Sequence, residues 1–558
     1  MLFVHLLLIF FLADCTASPY SILDPAYFAD LLGEDLSWAK ENIPLFQSSN
    51  KTLEAVYYFR WRLYRSHIHP TNRTDRIDWV VTEFSPQVPN SPVYNTINCA
   101  AGHHLAEGGW MRNTEFMDSY TRWWASGEPQ YHYYYWPATA ILRNYERGAA
   151  SAQLLHAVVP SLVRMFALYA NGTLPDNDRV ASGFNAPNDC LWNFPGNEGQ
   201  EKTLSGPGCR TLVQSLMFGE ASALARLCAA IGDAAGAGAM QAEAVRWQRR
   251  VLALWNPELR SFDTLRLRNA SAPRGEFAGV RELASLSSPW FFGAVPAASA
   301  GAYAASWEAA FDPLGFAAPF GLRTAERRAK GYSCDLPRSQ RYWRAPCCYW
   351  SGPMWPFETS KLISAAVRVL NQPDRGEAVP AITGARLWSM LWQYTQAHTS
   401  QWRVRDVTTD GFVGNLSSSP LGRWLFNGTG ELWLAESGCA DGGDDDQGLD
   451  GPAWTDDATR GYRYNHATFV DLVLSGVVGL QPHSNGTLVV NPLVPAEVLP
   501  WWAADGIALH GHIVAVAFDA DGTRYKRKPG LSIWVDGKLA LTSPQIGRVS
   551  IQLDTPRW

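Results

Sequence analysis

The sequence predicts a mainly helical protein, a toroid of helical hairpins closed by a small C-terminal sheet, and three observations carry that expectation. From about residue 30 to residue 480, apolar side chains recur at helical spacing in segments separated by long loops rich in Pro, Gly, Trp and Asp. After about residue 481 the period falls to two. No short-period repeat of matching sequence runs through the chain, which disfavours a solenoid of regular repeats.

The elements follow in order. Residues 52–68 place Leu53, Val56, Tyr57, Leu63 and Tyr64 at helical spacing and stop at Pro70. Val213, Leu216, Met217, Leu224, Leu227 and Cys228 do the same, with an end expected near Gly232. Residues 237–255, 357–370, 382–397 and 466–480 repeat the pattern, with Leu387, Met390, Leu391 and Tyr394 on one face of the penultimate segment. Residues 487–490, 507–518 and 531–541 alternate as strands, and Asp536-Gly537 sits between apolar runs as a hairpin turn. The domains expected are a signal peptide at 1–17, a helical catalytic body at 18–480 and a β-sheet domain at 481–558. Long loops between helices suit function, because connections of that length are uncommon without it.

Composition narrows the partner. Of 558 residues, 18% are charged and 47% hydrophobic, with 25 Trp, 21 Tyr and 24 Phe, which excludes disorder, a coiled coil and collagen. Forty-seven Lys and Arg against 52 Asp and Glu give a formal charge of -5, so no overall basic field exists for nucleic acid. Many flat apolar faces with few charges suit a neutral, hydroxyl-rich ligand, and sugars are the obvious class. Residues 2–12 are apolar and precede Ala13-Asp14-Cys15-Thr16-Ala17-Ser18, where small residues suit signal cleavage after Ala17. A secreted, extracellular protein is therefore expected, with no membrane partner after cleavage, since no later apolar run approaches the ~20 residues that span a bilayer. Oligomeric state stays open. Removal of Cys15 leaves eight cysteines, Cys99, Cys190, Cys209, Cys228, Cys334, Cys347, Cys348 and Cys439, an even number that permits disulfides with the pairing open. Seven sequons, at Asn50, Asn72, Asn171, Asn269, Asn415, Asn427 and Asn485, fit a secretory route and glycosylation.

Three loops carry candidate chemistry. Asn197-Glu198-Gly199-Gln200-Glu201-Lys202-Thr203 puts carboxylates just before a strong helix. Cys347-Cys348-Tyr349-Trp350-Ser351-Gly352-Pro353-Met354-Trp355-Pro356 is aromatic and rigid and also leads into a helix. Glu431-Leu432-Trp433-Leu434-Ala435-Glu436-Ser437-Gly438 opens an Asp- and Gly-rich loop that ends at Arg463-Tyr464-Asn465-His466. Two carboxylates on separate loops with tryptophans between them meet the needs of glycoside hydrolysis: a proton for the leaving oxygen, a base for water, and flat walls for the ring.

At these residues the chain resembles the six-hairpin (α/α)6-toroid glycosidases, in particular glycoside hydrolase family 63 and the mannosylglycerate hydrolase-like proteins, from about Leu36 to the C-terminus. Residues 349–356 are similar to the family's Trp-x-Gly-Pro-x-Trp-Pro signature, Glu198-Gly199-Gln200-Glu201 to its general-acid segment, and residues 436–443 to its general-base segment. Two departures stand: Glu201 where family 63 usually has Asp, and no Pro or Thr in the turn after Glu436. The resemblance implies an inverting glycosidase acting on an α-linked glucoside, mannoside or similar conjugate, with Glu201 as acid and Glu436 as base. Glu198 and Glu431 are their rivals. Tyr349, Trp350, Trp355, Trp136, His104 and His466 are the expected sugar contacts, with His103 and the Tyr131–Trp136 aromatics nearby; packed aromatics and histidines are the competing reading. An inactive carbohydrate-binding relative and a polysaccharide lyase on a similar toroid are the alternatives in function. No cofactor is expected, and no metal: no His/Cys pair has ligands at finger or zincin spacing, and Asp441, Asp444, Asp445, Asp446 and Asp450 lack the EF-hand order. Phosphate loops, dinucleotide fingerprints and serine elbows are also missing.

Overall fold

Helix Thr211–Ala230 illustrates how the body is made: an Ala- and Leu-rich run without Pro, apolar on nearly all sides, is stopped by Gly232 at φ +80. At its middle, Gly219 lets Phe292 approach so closely that a Cβ there would lie 2.4 Å from the ring. The computed structural model describes residues 18–71, 78–84, 93–129, 131–174, 182–318, 321–332, 350–398, 405–406, 411–412 and 465–554. The leader, Tyr349, Glu431, Glu436, the Asp-rich loop, the sequons at Asn72, Asn415 and Asn427, and Cys334, Cys347, Cys348 and Cys439 lie outside the described residues.

Packing runs helix to helix in a closed order. Ala101–Gly108 packs on Pro137–Glu146, which packs on Thr211–Ala230, then Leu283–Phe291, then Pro356–Leu370, then Val470–Leu472, which returns to Ala101–Gly108. Longer helices lie against this ring, among them Lys51–Ser66, capped by Asn50 Oδ1 accepting from Leu53 N at 2.9 Å, and Ala234–Leu252. Ala152–Ala170 is long and apolar enough to cross a bilayer by length and composition, in contrast to the expectation for the chain after its leader. It buries Leu155, Val158, Val159, Leu162 and Phe166 and turns Gln153, His156 and Arg164 outward, the amphipathic pattern of a core helix. The helix expected over 466–480 is shorter: one turn at Val470–Leu472 passes into a π turn at Val473–Val477.

The C-terminal residues form a five-stranded antiparallel sheet in the order Leu45–Ser48, Trp501–Leu509, His512–Asp519, Gly530–Val535 and Lys538–Ser543. Its first strand comes from the N-terminal part of the chain. The expected turn at Asp536-Gly537 is present, both residues at positive φ, whereas the run 507–518 is not one strand: His510-Gly511, also at positive φ, folds it into a hairpin. Sheet and helices share one hydrophobic core. Of the four described cysteines, Cys190 and Cys209 form one of the disulfides that the even count permits, while Cys99 and Cys228 are buried free thiols.

Candidate active site

The loop bearing Glu201 is fastened at its base and along its length. Strands Cys190–Asn193 and Gly208–Cys209 pair, and the disulfide joins their ends. Between them the 3-10 turn Pro195–Glu198 begins at a proline and ends at Gly199 in the left-handed region at φ +68. Glu198 is buried, and its carboxylate accepts from Asn193 Nδ2 at 2.7 Å and Arg210 Nε at 2.9 Å. Arg210 also donates to Ser205 Oγ at 2.8 Å and Gln200 Oε1 at 3.3 Å, and Gln200 Nε2 donates to Glu358 Oε1 at 2.9 Å. Glu198, the rival for the acid role, is thus spent on holding the loop.

Glu201 sits differently. It is half-buried, and burial lifts its carboxyl from the usual 4.5 to about 7, opposed only by its own backbone N–H. Such a group is protonated near neutrality and still reachable. Its backbone carbonyl accepts from Trp350 N at 3.1 Å, which joins the acid loop to the aromatic loop. That second loop is pinned to Thr324, whose hydroxyl accepts from Gly352 N at 3.1 Å and donates to Pro353 O at 2.8 Å. Trp350 and Trp355 stack with centroids 4.5 Å apart and planes 9° from parallel. His466 lies 5.6 Å from the Trp355 ring and 5.9 Å from Phe357, and His103 lies 4.5 Å from Phe357 and 5.0 Å from Trp136.

The adjacent histidines His103 and His104 have different surroundings. His104 engages both ring nitrogens inside the protein, Nδ1 with Tyr120 Oη at 3.0 Å and Nε2 with Asn465 O at 2.6 Å, so it has none for a sugar. Its neighbour His103 is the one that meets the aromatic wall. Glu83 has no sequence motif to announce it, yet its carboxylate lies 3.9 Å from His466 Nδ1 and 3.8 Å from Cys99 Sγ, and its carbonyl accepts from Asn465 N at 2.9 Å. Burial, reinforced by Glu83 and Glu201, holds the Cys99 thiol well above its usual range, so it is no thiolate nucleophile. Burial, with the Arg60 charge, keeps His466 neutral.

One geometric rule relates most of these residues. Four lie at or shortly before the N-terminus of a helix in the ring, His103 in the first turn of Ala101–Gly108, Trp136 at the cap of Pro137–Glu146, Trp355 at the cap of Pro356–Leu370 and His466 ahead of Val470–Leu472, while Glu201 is separated from Thr211–Ala230 by the strand Gly208–Cys209. Glu107 fixes the start of Val470–Leu472 by accepting from the N–H groups of Phe469, Val470 and Asp471, each at 2.9 Å. Among the described residues no group of His, Cys, Asp or Glu side chains could hold a metal ion.

Residues 176–406 match the model of the mannosylglycerate hydrolase MGH1-like glycoside hydrolase domain. The matched segment, less than half of the chain, is similar to a glycoside hydrolase domain of this type. The match takes in Glu201, Trp350 and Trp355 and ends before Glu436 and His466. Among solved structures, a sialidase superposes with a TM-score of 0.74 at 24% identity, over 95% of this chain and 45% of that one. The chain therefore spans less than half of that sialidase, and the likeness is one of fold. A family 63 mannosylglycerate hydrolase from Thermus thermophilus, in complex with glucose, matches at a TM-score of 0.42 and 12% identity, over 60% of this chain and 89% of that one. A family 78 rhamnosidase of Bacillus sp. GL1 matches at 0.48 and 12%, over 86% and 40%.

Proposed function

We propose that the protein is a secreted, inverting glycoside hydrolase on an (α/α)6 toroid, acting on an α-linked glucoside, mannoside or similar small sugar conjugate, with Glu201 as general acid and Glu436 as general base. The observation that carries the reading is Glu201 itself: a reachable carboxyl with its pKa lifted to about 7, on a fastened loop bonded to a tryptophan wall. The closed order of helix contacts supports the toroid, and the common placement of four of the site residues at helix N-termini supports a single substrate pocket at one end of it. In the reaction Glu201 gives its proton to the glycosidic oxygen as the bond to the anomeric carbon breaks. Glu436 takes a proton from the water that adds to the opposite face, and solvent restores both carboxyls. Inversion requires room for that water, so the two carboxyl groups are expected about 6.5–9.5 Å apart. Tyr349, Trp350, Trp355, Trp136 and His466 are the proposed sugar contacts.

Hydrolysis of α-glucosides, α-mannosides and mannosylglycerate, with product anomers followed by NMR, tests the reading; retention at the anomeric carbon overturns the mechanism. Glu201→Gln should lose most activity on a poor leaving group and less on an activated aryl glycoside, whereas Glu436→Gln should lose both. Passage through a secretory route is supported by Asn269 and Asn485, exposed sequon residues whose Oδ1 atoms accept from Ser271 N and Thr487 N. A mass unchanged by a deglycosylating amidase would count against it.

A further inference from the structure

His103 is 1% exposed and neither of its ring nitrogens has a hydrogen-bond partner. Other buried histidines are satisfied at one or both nitrogens: His67 at Thr82 O, His398 at Tyr394 O, His104 at Tyr120 and Asn465. A buried polar group without a partner is costly, so a side chain orphaned at both ends calls for an explanation. It does not stand alone. The indole N–H groups of Trp136 and Trp350, 2% and 3% exposed, are orphaned as well, and all three rings surround Phe357 or touch one that does: His103 to Phe357 4.5 Å, Trp350 to Phe357 6.0 Å, His103 to Trp136 5.0 Å. Trp350 is in turn bonded through its backbone to Glu201.

The local sequence is shaped to this arrangement. A Cβ at Gly102 would lie 2.3 Å from the Trp136 indole, so glycine is what lets that ring lie flat on the helix beside His103. Burial, then the nearby Lys361 charge, holds His103 far below its usual pKa, which leaves a neutral imidazole with one donor and one acceptor nitrogen. One sugar hydroxyl can accept from the protonated nitrogen and a separate hydroxyl can donate to the bare one. Lys361 is itself spent on Glu358 at 2.5 Å, so it does not offer a sugar carboxylate a counter-charge.

We propose that His103, with the indole N–H groups of Trp136 and Trp350, selects the sugar unit on which Glu201 acts, and that this unit is a neutral one bound through its hydroxyls. The inference rests on the glycosidase reading. Aryl glycosides of neutral sugars, the matching glucuronide, and monodeoxy analogues of the best neutral substrate form the test, run on the parent, His103→Phe and His103→Gln. The parent should hydrolyse neutral glycosides and not the glucuronide. His103→Phe should fold with equal or higher stability, since it removes two orphaned atoms, yet lose ~10-fold or more in kcat/KM, while His103→Gln keeps part of the rate. At least one deoxy analogue that is poor for the parent should be no poorer than the full sugar for His103→Phe, a coupling that a packing role would not produce. A His103→Phe rate within about twofold of the parent, deoxy penalties unchanged in it, or preference for the glucuronide overturns the inference and leaves the glycosidase reading intact. Hydrolysis of none of these glycosides, or a Glu201→Gln variant as active as the parent, overturns both.

Discussion

Glu201 and Glu198 are three residues apart, and what separates their roles is where each carboxylate ends. Glu198 reaches a guanidinium and an amide in the interior; Glu201 reaches neither and is lifted to about 7 by burial. A carboxyl whose pKa rises on folding adds stability in its protonated form, fully present below about pH 4.5 and lost as pH climbs through about 7. Glu201→Gln resembles the protonated form at every pH. Its melting temperature should therefore match the parent near pH 4.5 and exceed it near pH 8, and calorimetry at the two values checks this. In kinetics the alkaline limb of kcat/KM should fall above about pH 7 in the parent and vanish in the variant. Glu198→Ala should act through the fold instead, costing about 3 kcal/mol because it removes the nearer of the two carboxylates that pair with the buried Arg210 and leaves Glu282 at 3.7 Å; denaturant titration measures it. The sequence located this pair on one loop through its motif. The resemblance put Glu201 ahead of Glu198, but the residues alone could not say why, because the partners Asn193 and Arg210 become neighbours only through the strand pairing, and the sequence could not tell His103 from His104, because the rotation of one short helix decides which imidazole is hydrogen-bonded.

The same loop is also an element with a clamp. Cys190–Cys209 closes the base of the excursion that carries Glu201, across 19 positions of chain. A bridge of this span contributes about 3 kcal/mol through the unfolded state. The double variant Cys190→Ser with Cys209→Ser should lower stability by that order and should lose activity at temperatures where the fold survives, since the loop rather than the core is released; activity and near-UV circular dichroism followed together distinguish the two. A second clamp is Glu220, whose carboxylate caps Pro137–Glu146 by accepting from Ala138 N and Thr139 N at 2.9 Å and the Thr139 hydroxyl at 2.8 Å. Glu220→Ala should cost about 1–2 kcal/mol in thermal unfolding. Long amphipathic helices such as Gly384–Ala397 were legible from spacing. Ala101–Gly108 and Leu283–Phe291 were not, because a helix buried on every side shows no polar stripe and the second carries Pro289 inside it. The strands beside the acid loop are two to four residues long, too short for any period to register.

Across the whole molecule, helix Pro137–Glu146 separates two tasks. Trp136 at its N-terminus is a proposed sugar contact, while its C-terminal end receives the sheet: His510 N donates to Arg147 O at 3.1 Å and His510 Nε2 pairs with Glu146 O at 2.9 Å. A Cβ at Gly148 would lie 2.7 Å from the His510 backbone, so the hairpin tip docks only because that residue is glycine. The opposite side of the sheet is closed by the N-terminal segment, which lends strand Leu45–Ser48 and hands the N–H groups of Ser21, Ile22 and Leu23 to the Asp505 carboxylate at 2.6–2.8 Å. Sequence period revealed the sheet, but a four-residue strand roughly 450 positions upstream of its partner carried no signal of membership. An appended domain would unfold by itself; a sheet that shares its core and an edge strand with the helices should not. Asp505→Ala, which leaves three buried or half-buried N–H groups without their acceptor, should cost about 2–4 kcal/mol and move one calorimetric transition as a whole. Two transitions, with only the smaller displaced, would mean that the sheet is an independent domain and that strand Leu45–Ser48 is a bystander to the stability of the helical body.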